Sequence, residues 1–142
     1  MIDDYVWGRL LYNPPFPKAI HLSILFDAID PRGLSIRCKK KQWYRHVVAH
    51  RPGLEKHLDL VRQTIENPLM ICSDATNPNR EVYYSFGVLP APFDKLYLKV
   101  VIEFSERAGK RYGTVITAFT PDTPKTGEKV IWISPCFSKS QP

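Results

Sequence analysis

Apolar residues recur at every second position through three segments in the second half of the chain, and no other feature constrains the fold as strongly. They are Val82, Tyr84 and Phe86 in Glu81–Phe86, and Leu98, Val100, Ile102 and Phe104 in Leu96–Phe104. In Gly113–Thr120 they are Val115 and Phe119, with Thr117 between them on the same side. Side chains of an extended chain alternate between two faces, so a period of two marks strands that bury one face. The polar stretch Ser105–Arg111 is short enough to make the last two segments antiparallel neighbours. His21–Phe26, Leu34–Arg37, Leu69–Cys72 and an edge segment, Lys129–Ser134, read as shorter strands. Asp30-Pro31-Arg32-Gly33 and Thr76-Asn77-Pro78-Asn79 carry turn chemistry.

Two helical patterns precede these strands. Lys41–His50 places Trp43, Val47 and His50 on one face, and Leu54–Glu66 carries the stripe Leu54, Leu58, Val61 and Ile65. Arg51-Pro52-Gly53 separates them, and Asn67-Pro68 stops the second. Helices followed by strands predict an α+β fold with a mainly antiparallel sheet. The helices cover one face, leaving the other, half polar, as a binding cleft. A chain of 142 residues fits one domain, 1–142. Residues 1–19 read as irregular, because Asn13-Pro14-Pro15-Phe16-Pro17 cannot continue a helix.

The charge balance narrows the partners. Twenty Lys and Arg against fourteen Asp and Glu give +6 at pH 7, which favours an anionic partner, RNA foremost. Three cysteines, Cys38, Cys72 and Cys136, an odd number without CxxC spacing, argue against a disulfide framework and suit a reducing compartment, the cytoplasm. The acidic N-terminus lacks a signal-peptide pattern, and no stretch approaches the roughly 20 apolar residues of a membrane span, so no membrane partner is expected.

Four features carry chemistry. The first is the acid-free run Arg37–His46, ending at His50-Arg51, whose Lys40, Lys41, Arg45 and Arg51 would neutralise phosphates. Within it Tyr44 can stack on an unpaired base, whereas Trp43 shares the buried face of Val47. The second is His46 and His50, one helical turn apart: a pair for general acid/base work, or two histidines packed quietly. As zinc ligands they lack a third partner. The third is Arg80, at a strand start, placed to grip a phosphate or to pair with Glu81 or Glu66, with Tyr83 expected to contact RNA beside it. The fourth is Lys99, on the sheet face opposite Leu98 and Val100 and expected there to meet RNA, with Thr117, whose hydroxyl either serves the site or merely reflects β propensity.

No Gly-rich phosphate loop, nucleophile elbow, cofactor motif or magnesium-binding carboxylate cluster is present. A nuclease built from this inventory would be metal-independent. It would use the RNA 2′-OH as internal nucleophile, His as acid and base, and Arg and Lys as phosphate stabilisers.

The order of these residues resembles the phage group within the barnase/EndoU/colicin/RelE-like (BECR fold) nuclease superfamily. A Trp-x-x-His helix is followed by His and Pro, here Trp43, His46, His50 and Pro52, and an amphipathic helix ends at Asn67-Pro68. Then come Arg80–Tyr84, Leu98–Val101 and Val115-Ile116-Thr117-Ala118-Phe119. The similarity covers 33–120 and leaves 1–32 as an N-terminal extension. It implies two N-terminal helices packed on a curved antiparallel sheet of about four strands. It also implies a metal-independent ribonuclease, often a toxin with a cognate antitoxin or immunity protein, and active residues at His46, Arg80 and Thr117. The family often reads Arg-His-Pro where this chain has His50-Arg51-Pro52. A non-catalytic module binding nucleic acid or another partner on the same fold is the competing reading.

Overall fold

The computed structural model describes residues 23–136. The strands are β1 (Ile24–Ile29), β2 (Ser35–Lys39), β3 (Met70–Ser73), β4 (Arg80–Phe86), β5 (Tyr97–Arg107), β6 (Lys110–Phe119) and β7 (Lys129–Ile133). They form one seven-stranded sheet in the order β1-β2-β6-β5-β4-β3-β7. All neighbours are antiparallel except β2 and β6, which run parallel over Ser35–Arg37 and Tyr112–Thr114.

This corrects the expected architecture. The chain is α+β, but the sheet is mixed and has seven strands rather than about four, and the helices are two short ones. The antiparallel block β3 to β6 has two open edges, and unpaired edge N–H and C=O groups invite further pairing. β7 covers the outer edge of β3, and β2 with β1 covers that of β6. Two strands therefore precede the helices. The strand expected at His21–Phe26 lies partly outside the described residues, and β1 occupies Ile24–Ile29 instead.

The first helix, α1 (Lys40–Gln42), continues as a π-helical segment, Trp43–Val48, with Ala49 N–H donating to the Tyr44 carbonyl at 3.2 Å. It buries Trp43 and Val47. After a 3-10 turn, Pro52–His57, α2 (Leu58–Glu66) buries Val61, Thr64 and Ile65. The Thr64 hydroxyl donates to the Leu60 carbonyl at 2.8 Å, so its burial leaves no donor unmet. The π-helical segment packs on β6, and α2 packs on β1, β4 and β5.

Each sheet face carries its own apolar cluster. The helix-covered face joins Trp43, Val47, Val61 and Ile65 to Ile36, Tyr83, Leu98, Val100, Ile102, Val115 and Ala118. The opposite face holds Cys72, Val82, Tyr84 and Val101, with Tyr97, Ile116 and Phe119 at the margin. Gly113 marks the tightest approach, since a Cβ there would lie 2.5 Å from Ile102 Cγ2.

A buried polar knot ties the β1–β2 turn to β4. The Asp30 carboxylate accepts the Arg32 and Leu34 amides at 2.9 Å and the Tyr83 hydroxyl at 2.7 Å. Arg32 bridges from Asp30 to Glu81, whose other oxygen receives Arg111. Because a buried carboxylate must be both paired and hydrogen-bonded, this turn is fixed against the sheet.

Candidate active site

β6 carries a β-bulge that decides which side chains reach the site. Thr117 pairs with Val101, yet Val115 pairs with Ile102, so Ile116 is the extra residue. One extra residue inverts the alternation. Val115 therefore joins the helix-side core, while Thr117 turns to the opposite face with Phe119, whose cross-strand partner is Lys99. Simple alternation placed Val115, Thr117 and Phe119 on one side, and the bulge corrects that. Gln42 secures it by donating its side-chain amide to the Ile116 carbonyl at 2.5 Å.

Beside the bulge lies an open cleft of about 550 Å³, lined by Gln42, His46, His50, Arg51, Arg80 and residues 116–119. Its parts come from three places in the chain. The π-helical segment and the turn after it bring His46, His50 and Arg51; the start of β4 brings Arg80; β6 brings Thr117 and Phe119. π-turns are uncommon and concentrate at functional sites. Two guanidiniums and two imidazoles face the cleft, and among the described residues no carboxylate lines it. An anion is the ligand such a surface favours.

The polar geometry is specific. His50 Nδ1 lies 2.9 Å from the His46 carbonyl oxygen. A carbonyl only accepts, so Nδ1 carries the proton and the lone pair of neutral His50 resides on Nε2. Arg80 Nε donates to Glu103 Oε1 at 2.9 Å, across to β5 rather than to Glu81 or Glu66. Both members of that pair are over a third exposed, so the guanidinium keeps donors for a ligand. The Arg51 guanidinium stands 5.9 Å from the centroid of the Phe119 ring.

Four of the expected catalytic residues, His46, His50, Arg80 and Thr117, thus meet in one cleft together with Arg51. Lys40, Lys41, Tyr44 and Arg45 lie exposed on the helical segment outside the cleft lining. Two residues expected to meet RNA do not reach it. Tyr83 is fully buried on the helix side, its hydroxyl bound to Asp30, and burial with that bond raises its pKa. Lys99 is buried beneath the loop 121–128, where its ammonium pairs with Glu128 at 2.6 Å. The Tyr84 hydroxyl and the Lys125 amide also donate to Glu128, at 2.5 and 3.2 Å. Burial pushes the neighbouring Cys72 thiol up to about 11, with Glu128 adding to the shift and Lys99 opposing it.

Sequence reasoning missed Gln42, Glu103 and Phe119. Glu103 belongs to the polar parity of β5 and could have been paired with Arg80 by register, but Gln42 gives no signal without the bulge it holds. Among the described residues, no three His, Cys, Asp or Glu side chains gather as a metal site requires, and no helix is long and apolar enough to cross a membrane. Comparison with known proteins finds no matching family model, curated protein or solved structure.

Proposed function

We propose that this chain is a metal-independent RNA endonuclease acting through the RNA 2′-OH. The observation that carries this reading is the convergence of His46, His50, Arg51, Arg80 and Thr117, from three separate segments, on a cleft that no carboxylate lines among the described residues. In the proposed reaction His50 Nε2 takes the proton of the 2′-OH, because the hydrogen bond of Nδ1 to the His46 carbonyl leaves the lone pair on Nε2. The 2′ oxygen then attacks phosphorus. Arg80 and Arg51 neutralise the extra charge on the phosphorane, and Thr117 orients a non-bridging oxygen. The bond from phosphorus to the 5′ oxygen breaks as His46, protonated, gives its proton to that leaving oxygen. The products are a 2′,3′-cyclic phosphate and a 5′-hydroxyl, and proton exchange with water restores both histidines. Lys99 has no part in this scheme.

The pairing of Arg80 with Glu103 favours one other reading, a non-catalytic RNA-binding module, because the ion pair weakens the cationic field of the cleft. Incubating purified protein with total RNA in excess EDTA, beside a His46→Ala control, separates the two. Cleavage by the wild type alone is the expected result. Intact RNA with retained, salt-sensitive binding would replace the nuclease with the binding module.

A further inference from the structure

Phe119 has no role in the proton transfers above, and the buried pair Lys99–Glu128 serves none of them. The two features are joined. Lys99 and Phe119 are direct cross-strand partners, and the Lys99 ammonium lies 5.2 Å from the Phe119 ring centroid. That ammonium is fixed by Glu128, with side chains only 6% and 2% exposed. A buried, ion-paired cation thus lies against the ring, while the exposed Arg51 guanidinium stands 5.9 Å from the same centroid and also lines the cleft. Phe119 is a half-buried aromatic ring lining a cationic cleft, and its face is a surface that any nucleobase can stack on once the exposed Arg51 side chain moves aside. The cleft volume, about 550 Å³, suits one small ligand.

We propose that Phe119, backed by the Lys99–Glu128 pair, is the base-stacking platform of the cleft, and that the ligand is an unpaired nucleotide within single-stranded RNA. This rests on the reading of the cleft as an RNA site. A paired base has its faces occupied by its neighbours and cannot lie on Phe119, and side chains cannot read the deep, narrow major groove of an RNA duplex. The substrate is therefore a single strand, a loop or a bulge.

The test uses the full chain carrying His46→Ala, so that bound RNA persists. Its affinity is measured for a single-stranded RNA and for the same strand annealed to its complement. The strand carries one fluorescent purine analogue that is quenched by stacking. The single strand binds more tightly and its emission is quenched. Adding Phe119→Leu, which keeps an apolar side chain without a π face, weakens binding about fivefold or more and removes the quenching. Adding Phe119→Tyr instead preserves both. Unchanged affinity with Phe119→Leu in a folded protein, or a duplex bound as tightly as the single strand, overturns the proposal. Stacking by this protein combined with no cleavage by the wild type supports the platform and overturns only the nuclease reading. Absence of any RNA binding overturns both.

Discussion

Replacing Lys99 with Met tests whether the loop 121–128 is held by a buried ion pair. The side chains of Lys99 and Glu128 are 6% and 2% exposed and meet at 2.6 Å. Without the ammonium, the Glu128 carboxylate keeps only the Tyr84 hydroxyl and the Lys125 amide. Removing one partner of a buried pair costs about 3–5 kcal/mol, because the other charge is left uncompensated. With a urea dependence of about 2 kcal/mol per molar, the unfolding midpoint falls by about 1.5–2.5 M. Buried Trp43 reports the transition by fluorescence. The double variant Lys99→Met/Glu128→Gln removes both charges and keeps an acceptor for Tyr84, so it recovers at least about 2 kcal/mol of the loss. A penalty under about 1 kcal/mol for Lys99→Met is what a solvated pair gives, and it would refute the reasoning, as would a double variant whose cost equals the sum of the two single changes.

Three further outcomes are expected. At neutral pH only exposed Cys136 reacts rapidly with a thiol reagent, because Cys38 and Cys72 are buried with pKa values raised to about 12 and about 11; all three react after unfolding, and rapid native labelling of either buried thiol would contradict their placement. Stability falls as pH rises through about 9 to 11, since the unfolded chain releases thiol protons that the folded chain retains; the slope from these two groups is about 3 kcal/mol per pH unit, and a Cys38→Ala/Cys72→Ala variant should flatten it in pH-resolved urea titrations. Gly113→Ala costs about 1–3 kcal/mol in thermal or urea unfolding, because its Cβ collides with Ile102 and approaches Phe104 and Ile36; a neutral result would show that the β2–β6–β5 junction has slack.

Local periodicity disclosed where β4 and β5 run and the stripe of α2, where Val61 and Ile65 lie inside as their spacing requires, but not that both faces of β4 and β5 are buried over residues 82–85 and 98–102. It could not disclose the sheet order, because the parallel pairing of β2 with β6 joins segments that share no turn. Nor could it settle which face of β4 is covered. Val82, Tyr83 and Tyr84 are all fully buried, one face under the helices and the other in a second apolar cluster, so the open surface expected at Tyr83 does not exist. Lys99 does lie on the face opposite Leu98 and Val100, but the polar loop that buries it bears no mark in its composition of where it folds. The bulge at Ile116 is equally silent in sequence, yet it turns Thr117 and Phe119 toward the cleft. The residue types of His46, His50 and Arg80 marked them as candidates, and the structure brings them to one cleft that no single segment of the sequence outlines.

The most direct test of the central claim is a defined RNA in which the sugar at a mapped cleavage position is either ribose or 2′-deoxyribose, incubated with the protein in excess EDTA. The account predicts scission of the all-ribose strand, leaving 2′,3′-cyclic phosphate and 5′-hydroxyl ends, and an intact bond at the deoxy position. Cleavage of the deoxy linkage, or ends bearing a 5′-phosphate, would contradict it, because both require a nucleophile other than the RNA 2′-OH.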